Sequence, residues 1–119
     1  MSSGHAAAHG FGAMERLTWS REERAIARKA FDQALQRELR DVIFEAKKRA
    51  EQIKAATDVW KLESYLTRRR AEIDVDFDYR YSFLIVVFGN LIRRGRLSVE
   101  ELLGLSEDKL NAIRRFAAD

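Results

Sequence analysis

The stretch SREERAIARKAFDQALQRELRDVIFEAKKRAEQIKAA, Ser20 to Ala56, decides the fold. Ser20 and Glu23 make a capping box, each side chain satisfying a free amide at a helix start. Apolar residues then recur at Ala27, Phe31, Leu35, Leu39, Val42, Ile43, Ala46, Ala50 and Ile53. The spacing is helical, and no breaker interrupts it. It predicts one helix to about Ala56, on the order of 50 Å long at 1.5 Å rise per residue. A monomeric domain of 119 residues is too compact to cover such a rod along its whole length. The protruding half leaves Ile43, Phe44 and Ile53 wet. Pairing with a second copy covers them, so the expectation is a homodimer. The alternative is a hidden break near Arg40–Asp41 that folds the segment back on itself, but nothing there favours a turn.

Thr57 or Asp58 is expected to cap a second helix. Stepping on from Trp60 by three and four residues gives Glu63, Ser64, Thr67, Ala71 and Asp74, all polar or small. Val59, Leu62, Leu66, Ile73 and Phe77 take a different face, and Arg70 sits between the two. A tryptophan heading a polar stripe, with an arginine nearby, has the composition of a protein-binding hot spot. The other reading is that Trp60 covers a loop or tucks under the neighbouring helix, and both stay open. The pairs Arg70–Asp74 and Asp76–Arg80 have the spacing of surface ion pairs.

Tyr81 to Ile92 is the most apolar segment. By propensity it suits a buried strand, but no second strand exists to pair with it. It is therefore read as a buried helix ending at Gly95, with Arg93 and Arg94 in the last turn, where cations suit the dipole. Ser98 with Glu101 opens a short helix through Leu103, and Ser106 caps a final one bearing Leu110, Ile113 and Phe116. Leu97, Leu102 and Leu105 fasten these onto the apolar segment. The expected fold is all-α, a long-helix dimerisation stem (about 20–78) with a small helical head (about 79–119). Residues 18–119 form its single domain. Residues 1–17 read as a disordered leader or as an addition to the natural chain.

Composition removes most chemistry. There is no cysteine, and the two histidines, His5 and His9, both lie in the leader. Thiolate and histidine metal sites, cysteine nucleophiles and a Ser-His pair on the folded body are excluded. No enzyme is expected, and no cofactor. Asp74, Asp76 and Asp78 alternate like the opening of a calcium loop, but Tyr79 stands where glycine is needed and Ile85 where glutamate is needed. The net charge of +3 is only mildly basic. Arg93, Arg94, Arg96, Arg114 and Arg115 on the last helices suggest a small nucleic-acid-binding protein as a rival. Glu107 and Asp108 at the start of the final helix would repel phosphate and argue against it. No apolar run is long enough to span a membrane, and no secretion signal is evident, so the default location is the cytoplasm.

Gln36-Arg37-Glu38-Leu39, Trp60-Lys61-Leu62, Arg70-Ala71-Glu72-Ile73-Asp74, Asp78 with Arg80, Val87-Phe88, Gly95, Glu100-Glu101-Leu102 and Asp108-Lys109 resemble, in order and spacing, the fluorescence recovery protein family. The likeness runs from Trp19-Ser20 to the C-terminus. It implies an all-helical homodimer with an elongated stem and a head. It also implies a partner, the photoactivated orange carotenoid protein, bound chiefly at its C-terminal domain. Members speed that protein's return to rest and so end thermal quenching at the phycobilisome, with no covalent chemistry and no bound cofactor. Trp60 and Arg70 fall on positions the family uses for that contact. Glu63 and Ser64 stand where it typically has histidine followed by aspartate. Val86 and Ala112 replace an aromatic and a lysine often found on the head. Ile43, Ile53 and Val59 fall near the family's dimer interface. The functional expectation is a protein-binding regulator using Trp60, Glu63, Ser64 and Arg70. The alternatives are a divergent homologue that binds a different protein, and the nucleic-acid binder above.

Overall fold

A computed structural model describes residues 17–118. Four α-helices and one 3₁₀ turn follow one another: α1 (Arg21–Glu51), α2 (Ala56–Asp76), α3 (Leu84–Arg93), the turn Val99–Leu102, and α4 (Glu107–Ala118). Among the described residues there is no strand beyond an isolated bridge between Leu103 and Leu105. The molecule measures 66 × 28 × 23 Å. The 31 residues of α1 span about 46 Å. Apart from Leu17, which packs half-buried on the head core, the expected leader lies outside the described residues.

α1 is unbroken through Arg40–Asp41, and it stops at Glu51 rather than near Ala56. The reason lies downstream. Asp58 accepts from the amides of Lys54 (3.0 Å) and Ala55 (3.1 Å) and so starts a new helix that the old one cannot run into. Ala55 is the N-cap, and Asp58 does its work from the third helical position. That corrects the expectation of a cap at Thr57 or Asp58. The chain reverses over residues 52–55 and α2 returns antiparallel to α1. The expected capping box at the start of α1 is present, with Glu23 amide to Ser20 Oγ at 3.1 Å and Ser20 amide to Glu23 Oε1 at 3.0 Å.

The core sits at one end, between the first half of α1 and the head. Ala27, Ala30 and Ala34 are buried, and their small side chains let the head approach α1 closely. Phe31 meets Phe77 and Tyr79 edge-on, with ring centroids 5.5 and 4.8 Å apart. The apolar segment forms α3 from Leu84, after a turn at 81–83, and buries Leu84, Ile85, Phe88 and Leu91. It ends in a Schellman motif: Gly95 has φ +76°, its amide bonds to Ile92 (3.0 Å), and the Arg96 amide bonds to Leu91 (2.8 Å). Leu97, Leu102 and Leu105 are buried where expected. At the start of the turn Val99–Leu102, Glu101 Oε2 accepts from the Ser98 amide, one half of the expected capping box. Ser106 Oγ accepts from the Lys109 amide and caps α4.

Ion pairs join stem to head. Glu38, 1% exposed, accepts from Arg69 of α2 and from Arg94 and Arg96 beyond α3. Arg37 holds Glu101 in a fork at 2.8 and 3.0 Å and also reaches the Arg96 carbonyl at 2.8 Å. Glu23 accepts from the Ser106 amide (2.8 Å) and from Lys109 Nζ (3.1 Å), tying the start of α1 to the start of α4. Beyond Glu38, no residue of α1 is fully buried.

Candidate protein-binding surface

Three faces of α2 differ in kind. Residues on a helix turn by about 100° each, so Tyr65, Arg69 and Asp76 share one face, which is packed. Tyr65 is the one fully buried residue of α2. The Arg49 guanidinium of α1 lies 4.3 Å from its ring centre, a cation–π contact that holds the two helices in register. Val59, Leu62, Leu66 and Ile73 fall within about 60° of one another on a neighbouring face. Trp60 stands about 100° further round than Val59, nearly opposite the packed face. It is 65% exposed. Trp60 is therefore neither under a loop nor beneath α1.

The rest of the Trp60 stripe is also open. Glu63, Ser64, Thr67, Ala71 and Asp74 are all exposed, and so is Arg70. Thr67 Oγ1 donates to Glu63 Oε2 at 2.9 Å, which holds that carboxylate along the helix. Arg70 makes no ion pair or side-chain hydrogen bond among the described residues, so its guanidinium keeps its full donor set. The expected pairs Arg70–Asp74 and Asp76–Arg80 are both absent among the described residues. α2 ends at Asp76, which breaks the helical spacing to Arg80. Asp76 turns to Arg94 at 2.9 Å, and Arg80 Nε bonds Asp78 at 2.8 Å. Two of the three alternating aspartates are therefore engaged by arginine.

The expected dimer residues lie on a second open surface. On α1, Leu39, Ile43, Ala46 and Ala50 share a flank within about 60°, and Ile53 follows in the 52–55 turn. Antiparallel right-handed helices turn in opposite senses when viewed from one end. The α1 flank and the Val59 face therefore open to the same side of the hairpin. Ile43 is 53% exposed and Val59 41%, while Ile53 is half-buried. Phe44, one residue from Ile43, points to another side of α1 and is 70% exposed.

Sequence reasoning did not foresee the grouping of residues on the remaining side of the hairpin. Arg49, Lys61, Tyr65 and Arg68 wall an open groove next to Trp60. Thr57, Lys61, Ser64 and Arg68 have helical spacing, but only the position of the 52–55 turn brings Arg49 opposite them. It missed Glu38 as well, although the buried stripe Ala27, Phe31, Ala34 leads to it at helical intervals. Burial alone would raise the Glu38 carboxyl. Hydrogen bonds from Arg69 and Arg96 and the charges of Arg94 and Arg96 outweigh that and hold it below the usual range. Burial likewise disfavours the charged Arg69, but its bonds to Glu38 and Glu72 raise its pKa well above the ordinary value.

The arginines that suggested nucleic acid are largely spent within the protein. Arg93 donates to the Phe116 carbonyl (3.1 Å) and to Asn90 Oδ1 (2.6 Å). Arg94 and Arg96 bind Glu38, Asp76 and Asp41. No group of three metal-ligating side chains occurs among the described residues. Among those residues no helix is long and apolar enough to cross a membrane.

Comparison with known proteins agrees with this architecture. The family model described as photoprotection regulator fluorescence recovery protein matches residues 19–117. The fluorescence recovery protein of Synechocystis sp. is 38% identical over 99 residues, covering 83% of this chain and 91% of that protein. The solved structure of the Fremyella diplosiphon fluorescence recovery protein is 39% identical with a TM-score of 0.81, covering 86% of this chain and 100% of that one. The Synechocystis structure is 37% identical with a TM-score of 0.81, again covering 86% and 100%.

Proposed function

This chain belongs to the photoprotection regulator fluorescence recovery protein family, and from that premise we propose that it is a non-enzymatic homodimeric regulator that binds the photoactivated orange carotenoid protein and speeds its relaxation. The observation that carries this reading is the open Trp60, heading an exposed stripe with Arg70 beside it and unpaired among the described residues. A large flat indole in a solvent-exposed setting supplies much contact area at low entropic cost, and an unpaired guanidinium supplies directional donors. Glu63 and Ser64 belong to the same contact. The chain works in the cytoplasm, where its partner is reached without crossing a membrane.

The dimer forms through the apolar side of the hairpin, around Ile43, Ile53 and Val59. Each protomer then covers the other's wet flank, and both Trp60 stripes remain outside the seam. The stem (about 20–78) carries dimerisation and docking, and the head (about 79–119) braces it.

No bond is made or broken in the partner. A protein that binds a closing intermediate more tightly than the open state lowers the barrier to closure, and equal affinity for every state would do nothing. The test is optical. The red-to-orange decay of the carotenoid protein is followed in darkness with and without this chain. Acceleration by the wild type, lost in Trp60→Ala and in Arg70→Ala while helicity and dimer mass stay unchanged, is the expected result. An unchanged decay at saturating protein removes this partner. In that case the same face is assigned to a different protein.

A further inference from the structure

The groove on the charged side of the stem has no part in the dimer flank. Thr57, Ser64 and Arg68 lie about 140–180° round α2 from Val59, so a copy seated on the apolar side leaves the groove open. Trp60 forms one wall. Arg49, Lys61 and Arg68 supply three cations, Thr57 and Ser64 two hydroxyls, and Tyr65 the floor. No carboxylate lines it.

The acids nearby are each already engaged. Asp58 is held by the amides of Lys54 and Ala55, though its carboxyl still feels the Lys61 charge. Glu45 binds Arg49 at 2.8 Å and offsets it. Glu72 sits 3.8 Å from Arg68 but lies closer to Arg69, at 2.6 Å. Lys61 and Arg68 are left to give the groove its sign. Arg49 and Arg68 both stack on the Tyr65 ring, at 4.3 and 5.6 Å from its centre, which limits how far either guanidinium can swing away.

We propose that this groove receives an acidic segment of the partner protein, with one apolar or aromatic side chain against Trp60 and carboxylates against Lys61 and Arg68. This rests on the reading of the Trp60 face as the docking surface and adds the chemistry of what docks there. A recess lined by one sign of charge selects its complement and speeds encounter.

The test uses the full chain and two labelled peptides, Glu-Glu-Phe-Glu-Glu and Lys-Lys-Phe-Lys-Lys, read by fluorescence anisotropy. The acidic peptide is expected to bind and the basic one not. Binding should weaken about tenfold or more in Lys61→Glu/Arg68→Glu, and also when salt rises from about 0.05 M to about 0.5 M. Both substituted positions are exposed, so the double variant should keep the wild-type circular dichroism, with a small fall in melting temperature from the lost Arg68 contacts to Glu72 and Tyr65. The proposal is overturned by equal binding of the two peptides, by an acidic peptide indifferent to the double variant, or by no binding up to about 1 mM protein. The peptide assay contains no carotenoid protein. A failed groove leaves the optical test standing, and a failed optical test leaves the groove readable.

Discussion

Glu38→Gln should be among the most destabilising conservative changes in this protein. The substitution keeps volume and removes one negative charge from a site 1% exposed. Three guanidiniums lose their shared carboxylate, and an NH2 donor replaces one of its two acceptor oxygens. Removing one partner of a buried ion pair commonly costs about 3–5 kcal/mol, because the other charge is left uncompensated. Here each arginine keeps a second acid: Arg69 has Glu72 at 2.6 Å, Arg94 has Asp76 at 2.9 Å, and Arg96 has Asp41. The Arg94 and Arg96 side chains also reach water, at 35% and 23% exposure. Those outlets bring the cost to or below the low end of that range, about 2–3 kcal/mol. For a folded unit of about 100 residues that lowers the melting temperature by roughly 10–15 °C. The assay is thermal unfolding by circular dichroism at matched protein concentration, since the melting point of any chain that self-associates depends on it. Asp41→Asn is the control. Asp41 is exposed, and its loss should cost less than about 1 kcal/mol. A Glu38→Gln melt within about 3 °C of wild type would refute the claim that this carboxylate holds stem and head together.

Acid should erase the difference. The Glu38 carboxyl is held below 4.5 in the folded protein. Its stabilisation is therefore present above the unfolded value and lost as pH falls through the folded one, so the gap between wild type and Glu38→Gln should narrow in melts taken progressively below about pH 4.5. At Gly89 a methyl would meet Phe116 Cβ at 2.5 Å, the Ile113 carbonyl at 3.1 Å and the Ala117 amide at 3.2 Å. Gly89→Ala should push α3 off α4 and cost about 1–3 kcal/mol, read as an earlier melt. If the proposed dimer forms through Ile43, Ile43→Glu should put a charge in its apolar seam, and light scattering after size exclusion should give the mass of two chains for the wild type and of one for the variant while helicity persists.

Much of the helical plan was legible along the chain because its signals are local. A capping serine with glutamate three residues on, an uninterrupted helical period, and a glycine after an apolar run each act within a few residues. They located the starts of α1 and α4 and the end of α3. The absence of a pairing partner ruled out a strand at Tyr81–Ile92 by simple bookkeeping of backbone groups. The exposed stripe headed by Trp60 was also readable, since an indole followed by polar residues at helical spacing has no apolar company to bury it.

What the sequence alone determined was therefore the helices, their faces and the family. The end of α1 was misplaced because two helix signals compete there, and only the capture of the Lys54 and Ala55 amides by Asp58 settles it. Of the two ion pairs expected at four-residue spacing, neither forms among the described residues, and Asp76 turned instead to an element far away in sequence. Asp76 chose Arg94 across 18 positions, and Glu38 chose Arg69, Arg94 and Arg96 across 31 to 58. A buried acid takes the cations that packing delivers to it, because in a site shut off from water an unpaired charge costs more than an exposed pair returns. The cationic groove beside Trp60 belongs to the same class. Its two walls come from different helices, and only the antiparallel return of α2 sets Arg49 across from Lys61 and Arg68.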